Sequence, residues 1–346
     1  MSTTEASLAI FPTSLDGSAF INAPVLRPTR SLIRRMKLIL ILLLVGTILA
    51  ASALVGFYAY ILYRLQKPPV PNLGSNPWKA IGLTYSDVEF PSANGKTRVD
   101  GWYIPGASRN TVILSHGYGG NREEPWIPLY QIAKVLHNNR FNVLMFDYSF
   151  VRPEHYVTGG IQESSELRGA ISLVKELGDE QIYIWGFSMG AGTALQTALV
   201  DSHDINGMIL DSTFIMDSDA VYQNVKQKLN RLPRFPSVFM LNLLSPIYTG
   251  YSIKQVPINQ VKSTKYQMPL FLVHGEQDKV APIASVVSFY EEQKDYPGTE
   301  LWMIPDGQHE FIYKYHQEEY MKRAIKFLYD SVHQANLSKS QKLLSV

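Results

Sequence analysis

The sequence predicts an α/β domain with a mostly parallel eight-stranded sheet flanked by helices, a helical cap insertion and one N-terminal transmembrane helix. Three observations predict it. A stretch of 26 uncharged residues covers positions 38–63. Beyond about Ile81, short β-branched runs alternate with helical stretches, which is the pattern of crossover units around a parallel sheet. Finally, Gly186-Phe187-Ser188-Met189-Gly190 places a serine on a glycine-flanked turn directly between a strand and a helix.

Length and composition narrow the class of protein. A chain of 346 residues is too long for one small domain and suits one large α/β domain with attachments. Hydrophobic residues make up 46% and charged residues 18%, as in globular proteins. The 32 Lys and Arg nearly balance the 30 Asp and Glu, so we expect no nucleic-acid partner. Because the chain has no cysteine, disulfides, thiol nucleophiles and thiolate metal sites are excluded.

The uncharged stretch is long enough to cross a membrane, since the hydrocarbon core of a bilayer needs about 20 apolar residues. We therefore predict a transmembrane helix over residues 37–64. More Lys and Arg precede the stretch than follow it, which favours a single-pass cell-membrane protein with a cytoplasmic N-terminus and an extracytoplasmic domain. The preceding basic residues are Arg27, Arg30, Arg34, Arg35 and Lys37, and the following ones are Arg64, Lys67 and Lys79.

A secretory signal peptide is the competing interpretation of this stretch. Residues 38–49 would form its apolar region, and Ala51-Ser52-Ala53 resembles a small-residue cleavage site. Cleavage there would release a secreted protein whose new N-terminus lies near Leu54. The apolar stretch continues to Tyr63, however, and this continuation favours a retained anchor.

Composition also divides the rest of the chain into a tail, a spacer, a folded domain and a second tail. Residues 1–36 mix Ser, Thr, Pro and Arg without apolar periodicity, so we expect an unstructured cytoplasmic tail. The Pro-rich residues 65–80 predict a stiff spacer that holds the following domain off the membrane. The α/β domain follows over residues 81–335, and residues 336–346 form a polar C-terminal tail.

The predicted strands begin with a hairpin, because Asn94-Gly95 is a strong two-residue turn signal between two apolar runs. Six further strands follow, with helices between most of them. The eight predicted strands cover residues 88–90, 98–104, 111–115, 142–146, 181–185, 207–210, 269–273 and 299–304. The last helix, from about Glu310 to His333, carries an apolar stripe. This stripe consists of Met321, Ile325, Leu328 and Val332.

One interval interrupts this alternation. Residues 212–267 separate two strands that usually need a single helix between them, so we predict a cap or lid. Its amphipathic helix is marked by Val221, Val225, Leu229 and Leu232, and breaks are expected at Pro233, Pro236 and Pro246. Its basic residues Lys226, Lys228, Arg231, Arg234, Lys254, Lys262 and Lys265 outnumber Asp217 and Asp219. Such a cap would rest on anionic headgroups or admit an acyl lipid, and a solvated helix face is the alternative.

Ser188 is the candidate nucleophile. A serine hydroxyl becomes useful when a sharp strand-to-helix turn projects it clear of its neighbours, and close packing there leaves room only for glycine at the flanking positions. Gly186 and Gly190 occupy those positions. The helix that begins at the turn aims free backbone NH groups, including that of Met189, at a reacting carbonyl oxygen. A purely structural turn is the alternative.

An activated serine needs a base, and the base needs an orienting carboxylate. Of the eight histidines, His309 lies in a polar loop between the last strand and the last helix. Asp278 follows its own strand in the segment His274-Gly275-Glu276-Gln277-Asp278, at the carboxyl end of the sheet, where catalytic groups collect. Glu276 and Asp211 are rivals for the carboxylate, and we interpret both as residues that brace loops.

A glycine-rich segment, Ser115-His116-Gly117-Tyr118-Gly119-Gly120-Asn121, leaves a third strand. Its glycines let a backbone NH approach an oxyanion and complement the NH of Met189. A phosphate cradle is the alternative for this loop. That alternative is weak because the loop lacks both the GxGxxG spacing and the terminal lysine of a P-loop.

Together these motifs resemble those of the α/β-hydrolase superfamily, and within it the single-pass, membrane-anchored bacterial serine hydrolases. The shared pattern is HG-x-x-G, G-x-S-M-G, H-G-x-x-D and a late G-x-H over about residues 80–335, in the chain order Ser188, Asp278, His309. The resemblance implies that Tyr118 and Met189 supply the two oxyanion NH groups and that His116 is structural. Relatives commonly carry Asp-x-Arg-Gly-x-Gly where this chain has Asp147-Tyr148-Ser149-Phe150-Val151-Arg152.

The sequence therefore predicts a membrane-anchored serine hydrolase that cleaves an ester, thioester or amide bond through a Ser-His-Asp triad and an acyl-enzyme. Esters are favoured over amides, and the substrate is a small acyl compound, with lipids and peptides as candidate classes. No metal or organic cofactor is expected. Two alternatives stay open, a serine peptidase of the same fold and a non-catalytic anchored binding module.

Overall fold

The computed structural model describes residues 29–124 and 126–344 of the chain. Most of the predicted N-terminal tail, residues 1–28, therefore lies outside the described residues. The chain divides between Leu54 and Val55 into two compact units. The first contains the beginning of helix α1 (Arg30–Gln66), and the second contains the end of α1 and the rest of the chain.

Helix α1 is the one helix in the described part of the chain that is long and apolar enough to cross a membrane. It begins seven residues before the predicted span 37–64 and ends two residues after it. Nothing in the basic segment before residue 37 breaks a helix, so the helical backbone extends into it. The helix ends just before Pro68 and Pro69, because proline cannot continue a helix and restricts the residue that precedes it.

Eight strands in the described residues form one sheet. The strands are β1 (Ser86–Pro91), β2 (Arg98–Ile104), β3 (Asn110–Ser115), β4 (Asn142–Phe146), β5 (Gln181–Phe187), β6 (Gly207–Asp211), β7 (Leu270–Gly275) and β8 (Glu300–Ile304). Their order across the sheet is β1-β2-β4-β3-β5-β6-β7-β8. The β1–β2 and β2–β4 pairs are antiparallel, and the other pairs are parallel. The predicted mostly parallel, eight-stranded sheet is therefore confirmed.

Helices cover both faces of the sheet because neighbouring residues of its central strands point in opposite directions. In β3, Ile113 joins one core layer and Val112 joins the other. The remaining helices are α2 (Pro77–Ile81), α3 (Leu129–Asn138), α4 (Ile161–Glu176), α5 (Met189–Asp201), α6 (Ser218–Lys228), α7 (Arg234–Thr249), α8 (Ile258–Ser263), α9 (Ile283–Gln293) and α10 (Ile312–Leu344). Helices α4, α5 and α9 contribute to the first layer, and α3 and α10 to the second.

Helix α10 confirms the predicted apolar stripe of the last helix. Met321 and Leu328 are buried, and Ile325 and Val332 pack against the same core layer. The helix continues to Leu344, so its backbone extends through most of the predicted polar tail.

The insertion predicted over residues 212–267 folds into α6, α7, a short 3-10 turn (Ile253–Gln255) and α8. Pro233 lies at the N-cap of α7 and separates it from α6, as expected. The break expected at Pro246 is wrong, because Pro246 lies inside α7. Proline removes the donor that would normally bond the carbonyl of Asn242, and the hydroxyl of Ser252 donates to that carbonyl instead, at 3.3 Å.

The proline-rich segment after α1 packs on the domain rather than standing clear of it. The ammonium of Lys67 donates hydrogen bonds to three carbonyls of the loop after β4, those of Phe150 (3.3 Å), Arg152 (2.5 Å) and His155 (2.6 Å). Pro68 is buried, and the amide of Asn121 donates to the carbonyl of Pro71 at 2.8 Å. The segment is thus hydrogen-bonded to the edge of the sheet from which the glycine-rich loop emerges.

We expect Lys67→Met to loosen this attachment. The substitution keeps most of the apolar stem and leaves three carbonyls without their charged donor, which should cost about 1–3 kcal/mol of unfolding free energy. Amide hydrogen exchange should accelerate at Lys67, at Val70 and at the non-proline residues of 150–157. Lys79→Met, at an exposed position of α2, is the matched control and should exchange like the wild type. Equal exchange rates in the two variants would contradict this role of Lys67.

Candidate active site

The turn at Ser188 connects β5 to α5 with a strained backbone. Ser188 has φ 50° and ψ −113°, a conformation that non-glycine residues rarely adopt. Its amide donates to the carbonyl of Asp211 at 2.9 Å, which fixes the turn against β6. A side chain at Gly190 would overlap the backbone of Ser115, and one at Gly186 would overlap Ala191. Glycine is therefore required on both sides of the serine by close packing.

The three predicted triad side chains lie within hydrogen-bonding distance of one another. The hydroxyl of Ser188 is 2.8 Å from Nε2 of His309. Nδ1 of the same ring is 2.7 Å from Oδ2 of Asp278. With Nδ1 protonated and donating to the carboxylate of Asp278, Nε2 is left to accept the proton of the serine hydroxyl. This is the geometry of a serine, a base and an orienting carboxylate.

Asp278 is held in place by its own loop. Its Oδ1 accepts hydrogen bonds from the amides of Val280 (2.7 Å) and Ala281 (2.8 Å), which leaves Oδ2 for His309. The carboxylate side chain is fully buried. Its predicted rivals make other contacts: Glu276 is exposed, and the carboxylate of Asp211 accepts hydrogen bonds from Tyr320 (2.6 Å) and Ser212 (2.8 Å). Burial raises the pKa of Asp211 to about 6.

Two backbone amides near Ser188 lack an acceptor within the described residues. Met189 is the first residue of α5, so its NH is one of the free amides at a helix N-terminus. The amide of Tyr118 has no acceptor either, and its loop passes behind the nucleophile turn, where Ser115 contacts Gly190. The helix dipole and these two donors make the surroundings favourable for a negative charge.

His116 braces the glycine-rich loop and takes no part in the triad. One ring nitrogen lies 3.0 Å from the carbonyl of Gly117, and the other accepts the amide of Tyr148 at 3.1 Å. Burial lowers the pKa of His116 to about 4, so the ring is neutral. Tyr148 belongs to the loop after β4, residues 147–152, which lacks the glycines that relatives commonly carry there. The hydroxyl of Tyr148 also forms a hydrogen bond with the hydroxyl of Ser115 at 2.6 Å. Tyr148 therefore fixes the start of the glycine-rich loop.

A buried pair of glutamates beside the triad is a feature for which the sequence predicts no role. Oε1 of Glu124 accepts the amide of Gly117 at 3.0 Å, and Oε2 of Glu310 accepts the indole NH of Trp126 at 2.9 Å. A Cβ on Gly117 would overlap both carboxyl groups, so they converge on one point. Their other oxygens are buried without a hydrogen-bond partner in the described chain. The positions of Glu124 and Glu310 in the sequence do not distinguish them from ordinary surface glutamates. The one available signal is that Glu310 directly follows His309.

Burial of the two glutamates shifts their pKa values and, through their charge, that of His309. Burial raises the pKa of Glu310 to about 7, and burial together with the charge of Glu310 holds the pKa of Glu124 well above its usual range. Burial alone would lower the pKa of His309, but the hydrogen bond to Asp278 and the charges of Glu310, Asp278 and Asp211 raise it above its ordinary value. His309 is therefore tuned by its acidic neighbours.

No cation site accompanies this arrangement in the part of the chain described here. Within those residues, no three His, Asp or Glu side chains are placed to hold a metal ion. The donor set of the site, a hydroxyl, an imidazole, a carboxylate and free amides, is suited to acyl transfer by the protein's own groups.

Comparisons with known proteins agree with the architecture. A sequence model of the alpha/beta hydrolase fold matches residues 110–249. The structure of the esterase Pf2001 from Pyrococcus furiosus superimposes with a TM-score of 0.61 at 26% sequence identity, over 76% of this chain and 98% of the esterase. The chain has the α/β-hydrolase fold. The expected fold, an α/β-hydrolase sheet with flanking helices, is confirmed.

Curated proteins similar to this chain include lipases. Lysophosphatidylserine lipase ABHD12 of Danio rerio is 24% identical over 62% of this chain, and that of Xenopus tropicalis is 28% identical over 59% of it. The matches cover 57% and 52% of those proteins, so the chain spans a little more than half the length of these curated relatives. Its relatives are thus esterases and lipases.

We expect Glu310→Gln to lower the pKa of His309, because the substitution removes a negative charge beside the ring and keeps an acceptor for Trp126. Deuterium exchange at the histidine C2 position, followed by mass spectrometry, measures this pKa for a single peptide. The wild-type midpoint should lie above about 6.5 and the variant midpoint below that of the wild type.

Glu276→Gln is the control for this titration, because Glu276 is exposed on the loop that carries Asp278. Its midpoint should match that of the wild type. If Glu310→Gln leaves the midpoint unchanged, Glu310 does not tune His309.

Proposed function

We propose that this hydrolase is a serine esterase that acts on an acyl ester through an acyl-enzyme intermediate. The observation that carries the proposal is the pair of hydrogen bonds that join Ser188 to His309 at 2.8 Å and His309 to Asp278 at 2.7 Å. The strained turn beneath Ser188 and the free amides beside it support the same role. The match to a solved esterase supports ester over amide hydrolysis.

In the proposed mechanism, the hydroxyl oxygen of Ser188 attacks the acyl carbon while Nε2 of His309 takes the hydroxyl proton. Asp278 stabilises the imidazolium that results. The NH groups of Met189 and Tyr118 bind the oxyanion, each worth about 3–4 kcal/mol of transition-state stabilisation. Collapse of the intermediate releases the alcohol, which takes its proton from His309. A water molecule, which gives its proton to His309, then attacks the acyl-enzyme, and the acid is released as Ser188 recovers its proton.

An acyl lipid is the substrate class that we favour. Two relatives are named as lysophosphatidylserine lipases, and an acyl ester of that kind suits an enzyme that carries a helix long and apolar enough to cross a membrane. Ser188 is only 4% exposed, so the substrate must enter past residues of the cap or the glycine-rich loop. Peptide hydrolysis and ligand binding without turnover remain outcomes of the experiment below.

Ser188→Ala is expected to abolish labelling by a fluorophosphonate probe, because the probe reacts only with an activated hydroxyl. Hydrolysis of a short p-nitrophenyl ester should fall by a factor on the order of 10⁵–10⁶. Ser172→Ala, an exposed serine of α4, should label and turn over like the wild type.

Labelling that persists in Ser188→Ala would refute the assignment of the nucleophile. A panel of acyl esters, lysophospholipids and peptides separates the remaining possibilities. Turnover of peptides alone would identify a peptidase, and binding without turnover would identify a recognition module.

We also propose that α1 anchors the enzyme in the cell membrane, with the N-terminus in the cytoplasm and the catalytic domain outside. The length and apolar composition of α1 support anchoring, and the excess of basic residues before it supports this orientation. A cleaved signal peptide is the alternative, and it would leave an N-terminus near Leu54.

Full-length protein should stay in the membrane fraction after alkaline carbonate extraction and retain peptides from residues 30–53. Protease added outside spheroplasts should digest the catalytic domain. Recovery of the protein in the extracellular fraction with a new N-terminus near Leu54 would overturn the anchor. Protection of the domain from external protease would overturn the orientation.

A further inference from the structure

The outer face of α7 carries an apolar stripe that no residue of the described chain covers. The stripe consists of Phe235, Phe239, Leu243 and Ile247, one residue every four positions. Phe235 is 77% exposed and Ile247 is 72% exposed. Phe235 lies at a kink with an extended backbone (φ −100°, ψ 129°), and its ring is 6.2 Å from that of Phe239, so it extends the surface that Phe239, Leu243 and Ile247 form on the helix. Contiguous exposed apolar surfaces mark contacts with a partner or a membrane.

The charge pattern around the stripe is unusual for a helix that faces water. The segment from Phe235 to Ile253 contains no charged residue, whereas the exposed face of a surface helix normally carries charged or polar side chains. Basic residues flank the segment, with Arg231 and Arg234 before it and Lys254 after it. An uncharged helix between cations fits the interface of a membrane that contains anionic lipid.

The inner face of α7 packs against the last turns of α1. The hydroxyl of Tyr58 bonds that of Ser237 at 2.8 Å, and the amide of Gln66 donates to Ser245 at 2.8 Å. Leu62 of α1 belongs to the same buried cluster as several apolar residues of α6 and α7. The α7 stripe is thus attached to the helix segment that continues the apolar span along the chain.

These contacts also show how α1 and α7 are oriented relative to each other. Tyr58 and Gln66 are eight residues apart in α1, and Ser237 and Ser245 are eight residues apart in α7, so the two segments run side by side in the same direction. Eight residues of helix rise about 12 Å. The beginning of α7 therefore lies at the level of Tyr58, within the uncharged stretch, and Ile247 lies beyond the level of Gln66.

The aromatic residues of α1 indicate what surrounds that level. A bilayer core takes about 20 of the uncharged residues 38–63, which leaves the last of them, including Tyr58, Tyr60 and Tyr63, at the depth of the headgroups. Tyr60 is 63% exposed, and the ring of Tyr63 lies 6.2 Å from that of Tyr248 in α7. Tyrosine rings are favoured at this depth because they combine an apolar body with a polar tip.

We propose that the beginning of the α7 stripe is inserted into the interfacial region of the bilayer in which α1 is anchored. The proposal rests on the proposed anchoring and goes beyond the proposed hydrolysis. Phe235 and Phe239 contact acyl chains, Arg231 and Arg234 lie among the headgroups, and the depth of the stripe decreases from Phe239 through Leu243 to Ile247.

Spin labels on single cysteines measure this depth directly, because the chain has no cysteine of its own. The full-length variants Phe239→Cys, Leu243→Cys and Ile247→Cys are labelled with a nitroxide and reconstituted into vesicles of equal parts phosphatidylcholine and phosphatidylglycerol. Val200→Cys, at an exposed position of α5 outside the cap, is the control. Power saturation compares collisions with oxygen, which enriches in lipid, against collisions with a nickel chelate, which stays in water.

We expect the ratio of oxygen to nickel accessibility at position 239 to be several-fold higher than at position 200, and to decrease from 239 to 243 to 247. Equal ratios at 239, 243 and 200 would overturn the proposal. Dipolar broadening between labels at 239 would also overturn it, because a second copy of the chain would then cover the stripe. Protein that fails to float with the vesicles would overturn the anchoring and this inference together.

The accessibility of the spin labels does not depend on whether the protein hydrolyses an ester. A protein that inserts its stripe but fails to react with a fluorophosphonate would refute the proposed hydrolysis and leave the membrane contact standing. Circular dichroism of each labelled variant in detergent confirms that the helical content of the wild type is kept.

Discussion

The site depends on one backbone constraint, the strained reversal at Ser188. Its positive φ is maintained by hydrogen bonds to β6 and to the segment that follows it, and by close contact with the glycine-rich loop. These contacts outweigh the roughly 1–3 kcal/mol that such a conformation costs. The amide of Ser188 bonds Asp211, and the carbonyl of Ser188 accepts the amide of Phe214. The insertion therefore begins on the backbone that shapes the nucleophile, so the cap and the turn are parts of one local structure.

The sequence predicts those parts of the molecule that depend on local patterns. Strand and helix periodicities locate all eight strands, and the glycine-flanked serine locates the turn, because the backbone angles and close packing at such a turn restrict which residues fit. His309 and Asp278 are predictable for a related reason, since the carboxyl ends of parallel strands meet at one edge of the sheet. Topology converts distant positions in the chain into neighbours.

Other features depend on contacts that no local pattern encodes. Glu124 and Glu310 resemble surface residues in the sequence, and only the fold brings both of them to Gly117. Pro246 is expected to end a helix, but a hydroxyl from Ser252 satisfies the carbonyl that proline leaves without a donor. The proline-rich segment is predicted to be a stiff spacer, and its composition gives no sign that Lys67 attaches it to the loop after β4. In each case the structure depends on a contact with residues outside the local sequence pattern.

The attachment of α1 to the domain links the two proposals. The hydroxyl of Tyr118, whose amide is a candidate oxyanion donor, donates to the carbonyl of Leu65 at 2.7 Å. Burial raises the pKa of this hydroxyl to about 12, so it remains a donor at neutral pH. Tyr118 thus contacts the end of the apolar helix, and the cap contacts the same helix through Tyr58 and Gln66. A substrate that arrives from the bilayer would meet the cap and the oxyanion loop at one place, whereas a water-borne substrate has no need of that proximity.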